Sequence, residues 1–77
     1  MNKILLFAQL RDQVGKQELY LDFKGKTVKE LKKIMQESYS FNDLDSVMIA
    51  INEEFVSEEE IIQEGDTIAF IPPVSGG

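Results

Sequence analysis

The spacing of hydrophobic and polar residues predicts that the chain begins with two strands. Residues 4–8 form a continuous apolar run, which is typical of a strand buried on both faces, although a short buried helix has the same pattern. Residues 18–23 alternate between apolar and polar side chains, as in a half-buried strand. Residues 10–15 have no strand pattern and end in glycine, which predicts a short helical turn or loop. We therefore expect the two strands to pair as a hairpin.

The next segment has the pattern of an amphipathic helix. Thr27 and Glu30 have the spacing of a capping box, in which the hydroxyl accepts from an amide three residues on and the carboxylate reaches back. Lysines and other polar residues cover one face, which indicates either a docking site or a solvated surface. The helix is predicted to end at residues 38–40. Apolar side chains recur at helical spacing at Val28, Leu31, Ile34 and Met35.

The second half of the chain predicts three further strands. They span residues 47–51, 55–56 and 67–71, with turns between them. Residues 58–60 are three adjacent glutamates whose side chains point in different directions, so a solvated acidic run explains them better than a metal site. The order of elements is therefore β-β-α-β-β-β.

This order predicts an α+β protein with a β-grasp, or ubiquitin-like, fold. One main amphipathic helix has to bury its apolar stripe against one mixed sheet of about five strands. The first and last strands are the most apolar, so we expect them side by side at the centre of the sheet. At 77 residues, without a linker or repeat, residues 1–77 form a single domain.

Two residue types are missing, because the sequence has no cysteine and no histidine. Their absence excludes a thiol nucleophile, a disulfide framework and the commonest zinc sites. No serine has a plausible base, and no glycine-rich phosphate loop is present. We therefore expect no metal, no cofactor bound by the chain itself and no independent catalysis. The lack of cysteine, of a signal sequence and of a membrane span favours a cytoplasmic protein.

Charge is distributed unevenly along the chain. All eight basic residues precede residue 34, whereas residues 40–77 contain nine acidic residues and no lysine or arginine. Phosphate contacts need clustered basic side chains, so the acidic half argues against a nucleic-acid partner. The acidic residues indicate a positively charged partner, or they keep a small domain in solution.

The stretch after the last predicted strand carries the strongest functional signal. Pro72 and Pro73 restrict the backbone, whereas Gly76 and Gly77 have no side chain and fit a slot too narrow for other residues. We expect residues 72–77 to form a flexible tail that is stiff at its base and reaches about 20 Å. The α-carboxylate of Gly77 is ionised and becomes reactive only if another enzyme activates it, for instance as an acyl-adenylate. The plainer interpretation is a frayed terminus.

Three segments of the sequence resemble the MoaD family of sulfur carriers, the small subunits of molybdopterin synthase. The segments are Phe7-Ala8-Gln9-Leu10-Arg11 with Val14-Gly15, then Ala50-Ile51-Asn52, and finally residues 65–77, which begin Gly65-Asp66 and end Pro72-Pro73-Val74-Ser75-Gly76-Gly77. The resemblance covers the whole chain, and the last segment is the most specific. Other sulfur carriers of this fold, such as the thiamin-pathway carrier, share the diglycine but usually lack the two prolines.

The resemblance implies a mechanism centred on Gly77. An E1-like enzyme would use ATP to adenylate its carboxylate, and sulfur would then replace AMP to leave a C-terminal thiocarboxylate. The tail would enter the large subunit of molybdopterin synthase, where the sulfur passes to cyclic pyranopterin monophosphate to form a dithiolene. The resemblance also implies a heterotetramer around a large-subunit dimer, with Gly76 giving access to Gly77.

A surface for docking on the large subunit is predicted next to the tail. Phe7 and Phe70 fall on strands that we expect to be adjacent, so exposed rings would form one apolar patch. The alternative, for each ring, is a place in the core. The candidate docking residues are Phe7, Arg11, Phe70, Pro72, Pro73, Val74 and Ser75.

Three other functions stay open at this point. The first is a sulfur carrier for another pathway, such as thiamin synthesis. The second is a ubiquitin-like modifier that is conjugated to lysines through Gly77, which would be visible as protein conjugates. The third is an interaction module whose tail has no chemical role.

Overall fold

The computed structural model describes residues 1–41 and 44–73, which form a five-stranded mixed sheet and two helices. The sheet has the order β2-β1-β5-β3-β4, in which β1 runs parallel to β5 and the other neighbours are antiparallel. The predicted central pairing of the first and last strands is therefore confirmed. In chain order the elements are β1 (Asn2–Leu6), α1 (Ala8–Val14), β2 (Glu18–Leu21), α2 (Val28–Tyr39), β3 (Met48–Ile51), β4 (Glu54–Phe55) and β5 (Thr67–Ile71).

The largest difference from the prediction lies just after β1. The strand ends at Leu6 instead of residue 8, because Ala8 takes a positive φ of 52° that turns the chain out of the sheet. The segment predicted as a short helical turn or loop is a seven-residue helix, α1. It is ended by Gly15, whose φ of 84° is left-handed and whose N–H donates to the carbonyl oxygen of Arg11 at 2.8 Å. The fold thus has a short helix besides the main one.

Other boundaries shift by one or two residues. Strand β2 stops at Leu21 instead of residue 23, β3 begins at Met48, and β4 is displaced by one residue to Glu54–Phe55. Strand β5 has the predicted bounds. The predicted capping box is present at Thr27, and α2 ends within the predicted interval, with Ser40 as its C-cap.

The core lies between α2 and one face of the sheet. Val28, Leu31 and Met35 from α2 pack in the same cluster as Ile4 and Ile68 from the two central strands. Each of these side chains is at most 1% exposed, so the helical stripe is sealed against the sheet. The largest fully buried side chains are Phe41, Phe70, Ile4, Leu6, Leu31, Met35, Leu44, Ile62, Ile68, Val28 and Asn2.

The acidic run at residues 58–60 is attached to the start of α2. The carbonyl oxygens of Glu60 and Glu58 accept from the N–H groups of Val28 and Lys29, both at 3.0 Å. The carboxylate of Glu58 also pairs with the ammonium of Lys32 at 3.2 Å. The run therefore satisfies orphan amides at the first turn of the helix. Within residues 1–41 and 44–73, no group of three acidic side chains is placed to hold a metal ion.

One polar side chain in the core ties three segments together. Asn2 is fully buried, and its Nδ2 donates to the carbonyl oxygens of Gln63 at 2.9 Å and Asp66 at 3.1 Å. Its Oδ1 accepts from the N–H of Phe23 at 2.9 Å. These bonds hold the turn that precedes β5 against the first two strands. In the described part of the chain, neither helix is long and apolar enough to cross a membrane.

Candidate docking face and tail exit

The sheet has a second face, which points away from α2. Cross-strand pairing aligns Leu5 with Ala69, Ala69 with Ala50, and Ala50 with Phe55. Residues on either side of these along β1, β3 and β5 belong to the core with α2, so this row points to the opposite side. We call this side the open face, and its first row is apolar across four strands.

A second apolar row lies at the end of the sheet where β5 stops. Met48 on β3 is paired with Ile71, the last residue of β5. Phe7 keeps an extended backbone, with φ −125° and ψ 156°, so the alternation of β1 continues through it and directs its ring to the open face. The side chains of Phe7, Met48 and Phe55 are 47%, 51% and 62% exposed. Large apolar groups therefore remain at the surface in both rows of the open face.

The structure corrects the predicted position of one aromatic ring. Phe70 is 0% exposed and lies opposite Leu6 and Ile49 on the core face. The expected exposed patch of Phe7 with Phe70 is therefore wrong. Phe70 is paired with Leu6, and Phe7, the next residue along the chain, points to the opposite face. Ile71, the neighbour of Phe70, shares the open face with Phe7. Phe70 itself lies in the core, on the other side of the sheet from the open face.

Three further residues, Pro72, Pro73 and Arg11, complete what the structure describes of the predicted site. Pro72 is half-buried and Pro73 is exposed, directly after β5. Arg11 is exposed on α1, the helix that follows Phe7, and it lines a shallow cleft with Lys16. The predicted site residues Val74, Ser75, Gly76 and Gly77 lie outside the described residues, and so does most of the predicted tail at 72–77.

A polar group borders the open face on the side of β2. The ammonium of Lys3 lies 3.2 Å from Oε2 of Glu18, and the hydroxyl of Tyr20 donates to the same oxygen at 3.1 Å. The hydrogen bond with Glu18 raises the pKa of Lys3. The hydrogen bonds from Lys3 and then Tyr20 lower the pKa of Glu18. The apolar rows thus have a charged margin, as protein interfaces do.

The sequence prediction omitted Met48, Phe55 and Ile71 from the docking surface. A signal for Ile71 was present, because the alternation within β5 places it opposite in direction to Ile68 and Phe70. Phe55 lies on a strand of two residues, which is too short for an alternation to be read from the sequence.

Comparison with known proteins identifies the family. The family model described as the ThiS family matches residues 4–77. The chain belongs to the ThiS family. Relatives of this ThiS-family chain include the "Molybdopterin synthase sulfur carrier subunit" of Escherichia coli (strain K12), which is 36% identical with 100% of both chains covered. The subunit of the same name from Arabidopsis thaliana is 37% identical, with 97% of this chain and 81% of the relative covered.

Solved structures confirm the β-grasp fold of this ThiS-family chain. The solution structure of the small archaeal modifier protein 1 from Methanosarcina acetivorans superposes with a TM-score of 0.77. The two sequences are 27% identical, and the alignment covers 99% of this chain and 95% of the other. The similarity spans the sheet and both helices, so the ubiquitin-like architecture predicted from the sequence is confirmed.

Proposed function

We propose that the protein is the sulfur carrier subunit of a molybdopterin synthase. The observation that carries the proposal is the 36% identity to a subunit of that name over the full length of both chains. The apolar open face supports it, because a carrier whose tail enters another protein needs a surface by which that protein holds it. In this proposal the chain works in the cytoplasm and supplies sulfur, while the large subunit supplies catalysis.

Gly77 is the reacting residue in this proposal. Its carboxylate attacks the α-phosphate of ATP in an E1-like enzyme, and pyrophosphate leaves. A persulfide from a desulfurase system then attacks the acyl carbon and AMP leaves, and a thiol cleaves the resulting acyl disulfide by reduction to leave a thiocarboxylate. In the large subunit the thiocarboxylate sulfur bonds to a carbon of cyclic pyranopterin monophosphate as the oxygen substituent of that carbon leaves, and water then hydrolyses the acyl–sulfur bond and regenerates the carboxylate. A dithiolene contains two sulfur atoms, so two charged carriers are consumed for each pterin.

The open face is the proposed docking surface for the large subunit. Exposed aromatic side chains make effective anchors because they bury a large area while losing few rotamers. Phe7 and Phe55 occupy separate corners of the face, with Met48 and Ile71 between them. Pro72 and Pro73 leave the sheet from the same end, so a partner held on this face meets the base of the tail. Arg11 and the pair of Lys3 with Glu18 lie at its margin.

Alanine substitutions on the open face test this surface. We expect Phe7→Ala and Phe55→Ala each to weaken binding of the large subunit at least tenfold, which corresponds to about 1.4 kcal/mol. Ile61→Ala is the matched control, because Ile61 is 45% exposed but lies beside the N-cap of α2. Titration calorimetry measures all three. Equal affinities in the folded variants would remove the open face from the proposal.

The sulfur chemistry is tested on the C-terminal residue. The protein is purified from its native cells and treated with a thiol-alkylating reagent, and the mass of the C-terminal peptide is then measured. The sequence has no cysteine, so a thiocarboxylate on Gly77 is the expected site of alkylation. An unmodified carboxylate in cells that are making molybdenum cofactor would contradict the proposal. The partner that co-purifies separates a molybdopterin carrier from a thiamin-type carrier.

A ubiquitin-like protein modifier is the second candidate function. The observation that favours it is the 27% identity to a solved structure named a small archaeal modifier protein. A modifier would be found joined through Gly77 to lysine side chains of other proteins. Mass spectrometry of a digest would detect the C-terminal residues of this chain on those lysines. Conjugates without any thiocarboxylate would favour the modifier over the carrier.

A further inference from the structure

Backbone strain in this fold lies close to the two exposed phenylalanine rings. Among the described residues, four that are not glycine have a positive φ: Ala8 at 52°, Ser40 at 54°, Asn52 at 52° and Glu53 at 71°. Such values are uncommon for residues with a side chain. Ser40 is the C-cap of α2, a position where a left-handed conformation ends many helices. The other three need a different explanation.

Those three residues lie close in sequence to the two exposed phenylalanines of the open face. Ala8 directly follows Phe7 and turns the chain from β1 into α1. Asn52 and Glu53 form the two-residue turn between β3 and β4, in which Ile51 pairs with Glu54, and Phe55 follows. Asparagine tolerates this conformation, whereas alanine and glutamate do not favour it. The costly positions are therefore Ala8 and Glu53.

Residues next to each strained position are held by hydrogen bonds. Beside Ala8, the N–H of Leu10 donates to the carbonyl oxygen of Phe7 at 3.1 Å. The turn before Phe55 is anchored to β5 by Asn52, whose N–H donates to the carbonyl oxygen of Thr67 at 2.8 Å. The Oδ1 of Asn52 accepts from the N–H of Thr67 at 3.0 Å. The fold thus imposes the left-handed backbone instead of merely permitting it.

At a positive φ, a residue with a side chain has a smaller range of allowed backbone angles than glycine has. The left-handed region open to alanine or glutamate is narrow, whereas glycine takes a broad range of positive φ. The narrow range of φ and ψ allowed at Ala8 fixes the direction of the chain directly after Phe7. The narrow range allowed at Glu53 fixes the direction in which the chain enters β4. We propose that Ala8 and Glu53 are positioning residues that hold the rings of Phe7 and Phe55 in the orientation needed for docking. This inference rests on the proposed function of the open face.

Glycine substitutions separate positioning from stability. Ala8→Gly and Glu53→Gly remove the steric penalty, so we expect both to raise the denaturant midpoint of the free chain. We also expect each to weaken binding of the large subunit about two- to tenfold, because docking must then order a ring that is no longer held. Ser40→Gly is the matched control: it relieves the same backbone conformation far from the open face, and binding should not change.

Asparagine variants provide a rescue. Ala8→Asn and Glu53→Asn keep a side chain that tolerates the left-handed region, so they should bind as the unaltered chain does. If the glycine variants bind as tightly as the unaltered chain, the proposal is overturned. It is also overturned if Ser40→Gly weakens binding to the same extent, since the effect would then be general.

A measurement without the partner keeps this inference separate from the proposed function. The chain has five phenylalanines, of which Phe23, Phe41 and Phe70 are at most 4% exposed. In protein labelled with fluorophenylalanine, ¹⁹F relaxation reports the mobility of every ring, and the three buried rings are internal references. We expect greater mobility of Phe7 in Ala8→Gly and of Phe55 in Glu53→Gly. Unchanged mobility would refute positioning, whereas failure of the unaltered chain to bind would refute the proposed function alone.

Discussion

The two faces of the sheet are built from alternate residues of the same strands, but they are covered differently. On β5, Ile68 and Phe70 are buried against α2, whereas Ala69 and Ile71 on the open face stay partly exposed. Both sets are apolar, so hydrophobicity alone does not explain why one face is covered. The core face supplies the burial that a small domain needs to fold. The open face contributes less to folding, which is the pattern expected of a surface that a partner covers.

The largest effect on stability should follow from a cavity beneath the sheet. Phe70→Ala removes a fully buried ring, and we expect it to lower the free energy of unfolding by about 3–5 kcal/mol. Phe55→Ala removes a ring of the same size that is 62% exposed, so its effect should stay within about 1 kcal/mol. Urea unfolding followed by circular dichroism measures both. Similar losses would show that the two faces contribute equally to folding.

The buried polar group should come next in size. Asn2→Ala leaves the N–H of Phe23 and the carbonyl oxygens of Gln63 and Asp66 without their partner, at a cost of about 2–3 kcal/mol. Tyr20→Phe is the comparison, because it removes a hydrogen bond to Glu18 that is exposed to water. Urea unfolding should give the smaller loss for Tyr20→Phe. A larger loss of stability in the comparison variant would mean that the buried hydrogen bonds of Asn2 contribute little to the free energy of unfolding.

Helix α2, which covers the core face of the sheet, is stabilised by its N-terminal cap. Thr27→Ala removes the hydroxyl that accepts from the N–H of Glu30 at 3.2 Å, and we expect a loss of about 1 kcal/mol. Thr27→Ser keeps the acceptor and should lose much less. Thermal unfolding of the two variants side by side measures the difference. An equal loss would assign the effect to the methyl group instead of the cap.

The smallest effect is expected from the charged margin of the open face. The folded pKa of Glu18 is lowered, so its contribution is present above its ordinary value of 4.5 and is lost as pH falls through the folded pKa. The folded pKa of Lys3 is raised, so its contribution is present below 10.5 and is lost as pH rises through the folded pKa. Glu18→Gln should therefore reduce stability between these limits and make little difference once the pH lies below the folded pKa of Glu18. A pH series of urea unfolding measures this, and a difference that persists in acid would contradict it.

The core face could be predicted because periodicity and local chemistry determine it. Val28, Leu31 and Met35 recur at helical spacing, and the capping box needs only Thr27 and Glu30, three residues apart. The apolar run of β1 indicated a central strand, and its parallel partner β5 is the other strongly apolar segment. Each of these signals is contained in a few neighbouring residues, which is why the β-grasp fold was predictable.

The open face was harder to predict because strand register decides which residues share it. Phe7 was predicted in a strand of residues 4–8, adjacent to the strand of Phe70. The left-handed backbone at Ala8 ends the first strand early, and no glycine or asparagine marks the position. Phe55 joins the face only through its pairing with Ala50. Since the rows on both faces are apolar, composition could not show which of them α2 covers.

The central position of β5 has a consequence for synthesis on the ribosome. Strands β1 and β2 form one pair, β3 and β4 form another, and β5 is the strand that joins them. Two-stranded pairs are marginal alone, so neither half of the sheet is expected to be stable while β5 is still in the exit tunnel. Asn2 also meets Gln63 only across a separation of 61 residues. The domain should therefore fold after β5 emerges, and a chain stalled before residue 67 should leave its apolar residues open to chaperones and proteases.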